Sequence, residues 1–147
     1  IVRDINDLKL NIVLHSSNPK KLENTDIYLV DTYGETKKFY DSSDVVFMGK
    51  SLIGKGGQNP LEPARHGAAV LHGPNIDNFS DIYKLLNKLK ITQKVNGVAS
   101  LTSLVNKLMI KKNSKKNYLK IEKIGKKILN NTKDEINSLL NNEIKKT

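Results

Sequence analysis

The chain contains no cysteine and no tryptophan. Without cysteine there is no disulfide framework, no cysteine-ligated zinc site and no thiol nucleophile; the composition fits a reducing cytoplasm. Aromatic residues are 5% of the whole, so a core has to be built from Ile, Leu and Val. No apolar run reaches the length of a signal-peptide core or a membrane span. There is no Asp-x-Asp pair of the kind that holds a metal-bound diphosphate. His15, His66 and His72 show no metal-ligand spacing and are read as structural or solvent-facing. The first residue is Ile1 rather than Met, from which an upstream part is expected.

What is present is enough for a domain. The 147 residues are 37% apolar, sufficient for one core, and the net charge is +10. That charge is unevenly placed: Lys107 to Lys146 holds twelve lysines against Glu122, Asp134, Glu135 and Glu143, a balance of +8. Such a segment reads either as the solvated face of helices or as attraction to an anionic membrane surface. Nucleic acid is not an expected partner, because few aromatics interleave the lysines and no zinc-finger or RNP-like pattern occurs.

Short β-type runs at Leu10–Leu14, Asp26–Val30, Asp44–Gly49 and Ala68–Leu71 alternate with helical patterns. A further brief strand is expected at Val95. Helices are expected over residues 1–8, from Glu35, from about Asn59, after Ser80 as N-cap, and from Leu101 to Ile110. Pro60 and Pro63 are compatible with a helix only in its first turn, where the backbone N–H has no helical partner. Ile82, Leu85, Leu86 and Leu89 recur at helical spacing. Two more helices are expected in the basic stretch: one on Ile121, Ile124 and Ile128, the other opening on the capping-box pattern Thr132-Lys133-Asp134-Glu135. The alternation predicts an α/β fold, a Rossmann-like parallel sheet with helices on both faces. The expected division is a partial nucleotide-sugar-binding core over 1–111 and basic helices over 112–147. Ligands of such sheets sit outside the carboxyl ends of the strands, so the loops after Val30, Met48 and Leu71 are the places for function.

The most informative loop runs Gly54-Lys55-Gly56-Gly57-Gln58-Asn59 and leads into Pro60-Leu61-Glu62-Pro63. Glycines let a backbone approach a ligand closely, and unpaired N–H groups before a helix favour phosphate. Lys55 adds positive charge, and Glu62 is placed to accept from ribose hydroxyls. A P-loop is excluded because Asp44 stands where its first glycine belongs, and the dinucleotide fingerprint fails at Asn59. The same residues admit a plainer reading: a tight turn for the glycines, an N-cap for Asn59 and a dipole-compensating acid in Glu62.

Asp31-Thr32-Tyr33-Gly34-Glu35, Phe47-Met48-Gly49-Lys50-Ser51-Leu52, Gly56-Gly57-Gln58-Asn59-Pro60-Leu61-Glu62-Pro63-Ala64, Leu71-His72-Gly73-Pro74 and Asn78-Phe79-Ser80-Asp81-Ile82 follow one another in order. Together they resemble the motifs of 3-deoxy-D-manno-octulosonic acid (Kdo) transferases, over nearly all the chain and more weakly past Lys111. The resemblance implies the C-terminal domain of a GT-B glycosyltransferase, incomplete at its N-terminus. It implies CMP-Kdo as donor, a lipid A precursor as acceptor through the missing N-terminal domain, and inverting transfer in lipopolysaccharide core biosynthesis. No metal and no cofactor are implied, and the place of action would be the cytoplasmic face of the bacterial inner membrane. Lys55, Gly56, Gly57, Gln58 and Asn59 would lie at the donor phosphate, Glu62 at the ribose, and Thr32, Tyr33 and Gly34 near the base or its sugar. No catalytic residue is assigned, since the base is expected in the missing domain, as is an upstream basic phosphate-contacting motif. The fragment is therefore expected to be inactive alone. Three positions depart from the common pattern: Tyr33 for Met, Lys55 for Arg or His, and Gln58 for His. Lysine keeps a charge but loses the bidentate grip of arginine. Two alternatives stay open: a UDP-sugar GT-B transferase domain, and a non-catalytic truncated basic interaction module.

Overall fold

A computed structural model describes residues 2–110 and 116–144. It separates into two compact units, residues 1–39 and 40–147. The expected boundary between residues 111 and 112 lies outside the described residues.

The first unit opens with α1 (Val2–Asp7). β1 (Ile12–Leu14) and β2 (Ile27–Leu29) then pair in parallel, Ile12 opposite Ile27 and Leu14 opposite Leu29. The Asp26 carboxylate secures the entry to β2 by accepting from the Asn11 N–H at 2.8 Å. A 3-10 turn, His15–Ser17, ends at Asn18 in the left-handed region, φ 48°. Asparagine tolerates that conformation better than most side chains, which is why Ser-Ser-Asn-Pro breaks the strand here. α2 (Thr36–Ser42) carries the chain from the first unit into the second.

The second unit contains β3 (Val45–Phe47), β4 (Ala69–His72) and β5 (Thr92–Lys94), all parallel in the order β3-β4-β5. Val46 is in register with Val70, and Leu71 with Gln93. All of β4 is buried. Its side chains alternate between faces, as the period of a strand requires. Val70 joins Met48, Ala64, Tyr83, Leu86 and Ile91 on one face; Ala69 and Leu71 join Val95 and Leu108 on the other. The first cluster is closed by α3 (Leu61–Arg65) and α4 (Ser80–Lys88), the second by α5 (Val98–Ile110). Each Val, Leu, Ile or Met in these clusters contributes about 1.5–3 kcal/mol on full burial. The fold class is therefore as expected: α/β, with parallel strands and helices on both faces of the central one.

Several boundaries differ. α3 begins at Leu61, with Pro60 at its N-cap and Pro63 still in the first turn. Ser80 is the first residue of α4 and not its cap, because a 3-10 turn, Asp77–Phe79, runs directly into the helix. The deepest residues of α4 are Tyr83 and Leu86, while Leu85 is exposed. Val95 is fully buried but follows β5 instead of belonging to it.

The two helices expected in the basic stretch are one, α6 (Lys116–Ile144). The capping-box reading of Thr132 is thereby corrected. Its hydroxyl donates to the Ile128 carbonyl at 3.0 Å, one turn back, as threonine does inside a helix. With a tertiary anchor on one side, the helix has no reason to stop there. Ile121 packs onto the α3–α4 cluster, and its neighbours line an apolar groove of about 510 Å³ with Leu61, Ile82, Leu85 and Leu89. Ile128 and Leu129 line the groove while staying largely exposed, and beyond it Ile136, Leu139 and Leu140 are exposed. Among the described residues no helix is long and apolar enough to cross a membrane.

Candidate functional site

The glycine-rich segment forms the loop between β3 and α3, at the carboxyl end of the sheet. Its first turn is tied down by Ser51, which is 0% exposed. The Ser51 hydroxyl donates to the Met48 carbonyl and accepts from the Gly73 N–H at 2.8 Å, while the Ser51 carbonyl accepts from the Asn75 N–H at 2.9 Å. The strand ends β3 and β4 are thus stitched together. Their approach is so close that a Cβ on Gly73 would come within 2.2 Å of the Ser51 carbonyl. Lys50, just before, holds a left-handed conformation, φ 58°. For a residue with a Cβ this is strained, and such strain concentrates at functional loops.

Gly56 and Gly57 of this loop pack against the segment that follows β4. The Asn78 N–H donates to the Gly56 carbonyl at 3.2 Å. Gly57 has φ 62°, and a Cβ there would sit 2.7 Å from the Asn75 carbonyl. The glycine at 57 is therefore required by the protein's own packing, whatever the loop binds. Gln58 and Asn59 are exposed, and the Gln58 carbonyl accepts from the Tyr83 hydroxyl at 3.1 Å. Asn59 Oδ1 accepts from the Leu61 N–H at 3.0 Å, an Asx-type bond made from one position before the Pro60 N-cap. No described residue accepts from the backbone N–H groups of Gly57, Gln58 and Asn59. A short run of unpaired N–H groups is the feature that makes a loop receptive to an anion.

Lys55 and Glu62 are exposed on either side of that run. The phenol of Tyr40 is raised in pKa, first by burial and then by the Glu62 charge. Thr32, Tyr33 and Gly34 form the exposed tip between β2 and α2 in the first unit, Tyr33 fully so. Asp31 and Glu35 flank the tip. Asp31 accepts from the Ser16 N–H at 2.9 Å and from its hydroxyl, bonds that hold its carboxyl below the usual range. Glu35 pairs with Lys38 at 2.7 Å, which lowers its pKa likewise. The structure thus gathers Lys55 to Asn59 and Glu62 into one loop and helix start, and Thr32 to Gly34 into a separate tip.

The three histidines have structural partners. His15 Nδ1 lies 2.7 Å from the Tyr28 hydroxyl, with its ring edge-on to Tyr28 and Phe39. His66 pairs with Asp41. His72, 6% exposed, packs on Tyr83 with ring centroids 4.4 Å apart. Ser51, Asn75, Asn78 and Tyr83 brace the site and were not among the residues assigned to it from sequence. Ser51 and Asn78 stand inside the motifs, whereas Tyr83 carries no local signal.

Parallel strands flanked by helices, with a glycine-rich loop at their carboxyl ends, make a Rossmann-like α/β arrangement. Its fold matches the crystal structure of the C-terminal CMP-Kdo binding domain of WaaA from Acinetobacter baumannii, with a TM-score of 0.70 and 24% identity over 77% of this chain and 59% of that one. In sequence the chain is similar to Kdo transferases. It is 32% identical to that of Haemophilus influenzae over 133 residues, 90% of this chain and 30% of that protein. With the Rickettsia prowazekii Kdo transferase it shares 34% identity over 85% of this chain and 29% of that one. A bifunctional glycosyltransferase/methyltransferase of Fusobacterium nucleatum is 34% identical over 77% of this chain and 19% of its own length. No family model matches. The likeness read from the loop motifs thus extends along most of the chain, and the chain spans about a third or less of the curated relatives it matches.

Proposed function

We propose that this chain is the donor-binding part of a Kdo transferase. It holds CMP-Kdo while Kdo passes, with inversion, to a hydroxyl of a lipid A precursor and CMP departs. The observation that carries this reading is the run of unpaired N–H groups at Gly57, Gln58 and Asn59, set in a loop whose residues resemble the family's motif. Those groups, with Lys55, meet the phosphate and stabilise the negative charge that grows on it as the sugar leaves. Because the loop is already fixed by Ser51, Asn75 and Asn78, the donors need no reorganisation during the reaction. Glu62 accepts from the ribose hydroxyls. For Thr32, Tyr33 and Gly34, contact with the base or its sugar rests on the resemblance and on their exposure.

The assignment of Glu62 is tested by calorimetry with CMP and its 2′,3′-dideoxy analogue. Glu62→Ala is expected to weaken CMP by roughly tenfold, the loss of a charge-assisted hydrogen bond, and to leave the dideoxy analogue untouched. Equal weakening of both would remove Glu62 from the ribose.

The place of action proposed for the complete enzyme is the cytoplasmic face of the inner membrane, where such an acceptor lies. Support comes from the net charge of +10 and from α6, whose Lys120, Lys123, Lys126 and Lys127 accompany exposed apolar residues.

A further inference from the structure

Tyr83 is 2% exposed, and its ring lies in the apolar cluster between β4 and α4. Its hydroxyl does not. It donates to the backbone carbonyl of Gln58 at 3.1 Å, a loop residue 25 positions earlier. Burial pushes the phenol up to about 12, so the hydroxyl keeps its proton and stays a donor at any physiological pH. The ring in turn rests on His72, with centroids 4.4 Å apart. His72 Nδ1 lies 2.7 Å from the Gly73 carbonyl; a carbonyl only accepts, so that nitrogen carries the proton. The Gly73 N–H then bonds Ser51, and Ser51 bonds Met48. Two strand ends, the glycine-rich loop and α4 are fastened by this set of buried polar contacts.

The direction of the Gln58 carbonyl has a necessary counterpart. A peptide unit is planar and trans, so the N–H of Asn59 points opposite to the C=O of Gln58. With the carbonyl held toward a buried hydroxyl, the Asn59 N–H is turned away from the core, on the side where Gln58 and Asn59 are exposed. The Asn59 N–H is also one of the groups that no described residue accepts from. We propose that Tyr83 is a positioning residue of the donor site, its hydroxyl fixing the Gln58–Asn59 peptide so that the Asn59 N–H faces the donor phosphate. The proposal rests on the donor-binding reading above. Without the hydroxyl the Gln58 carbonyl turns toward water, and the Asn59 N–H loses its aim while the ring packing persists.

Tyr83→Phe makes the test, since it keeps the ring against His72 and removes one oxygen. Amide spectra of the chain are recorded free and during titration with CMP and with cytidine, which lacks the phosphate. The expected result is an unchanged core spectrum, a displaced and broadened Asn59 amide, CMP binding weakened roughly five- to tenfold and cytidine binding unchanged. An Asn59 amide that stays in place, undiminished CMP affinity, or equal losses for CMP and cytidine would each overturn the positioning role. Failure of the wild-type chain itself to bind CMP would instead remove the donor reading, and the proposal with it.

Discussion

At the scale of single residues, His72 shows how burial turns a side chain into a pH-sensitive support. Its pKa is lowered from the ordinary 6.5, first by desolvation. The unfolded chain therefore binds a proton that the folded one resists, and stability falls as the pH drops below about 6.5, levelling off under the depressed folded value. The expected outcome is a melting temperature that is flat above neutrality and declines through mildly acidic pH, with the decline reduced in His72→Gln. A wild-type melting temperature that rose on acidification from neutrality would contradict the burial argument. Residue-level meaning was partly legible in the sequence. Gly57 was singled out as permitting close approach, and the structure shows the approach is to the Asn75 carbonyl. Asn59 admits readings as a ligand contact and as an N-cap; the N-cap of α3 is Pro60, and Asn59 accepts from the Leu61 N–H from one residue earlier. Tyr83 was illegible, because its role depends on a carbonyl brought near by the fold.

Elements are legible in the sequence where hydrophobic period and turn chemistry agree. All five strands and α2 through α5 fall within a few residues of expectation, since Gly, Pro and Asn mark the ends of short parallel strands. The failure at Thr132 arose where local chemistry and tertiary structure compete. A capping box is satisfied only if the chain before it is not already helical, and α6 arrives at Thr132 as a continuing helix. Thr132 therefore caps nothing. Thr132→Ala is expected to change stability by no more than about 0.5 kcal/mol, or to raise it slightly through helix propensity, whereas loss of a true N-cap costs about 1 kcal/mol. Denaturant melts of the two proteins decide it, and a loss near the larger figure would restore the two-helix reading. The division of the chain at residues 39 and 40 was not foreseen either, because alternating strands and helices give no sign of which strands share a ladder.

For the molecule as a whole, charge and ligand chemistry are separable. If the lysines of α6 serve docking, the chain will co-sediment with anionic vesicles and not with zwitterionic ones. Neutralising Lys123, Lys126 and Lys127 together will lower the vesicle partition constant on the order of a hundredfold, at about 1 kcal/mol per charge near the surface. Binding unaffected by those changes would reduce the lysines to a solvated face. Lys126 is the least available of the three, since it pairs with Glu122 at 2.8 Å. Donor recognition stands independently of this.

An amide titration of the chain with CMP, using UMP as the control, tests donor binding directly. Donor binding at the glycine-rich loop predicts selective shifts at Gly56, Gly57, Gln58 and Asn59 with CMP and little response to UMP. A folded spectrum indifferent to CMP would contradict donor binding at this loop, and equal shifts with both nucleotides would move the chain toward a UDP-sugar transferase.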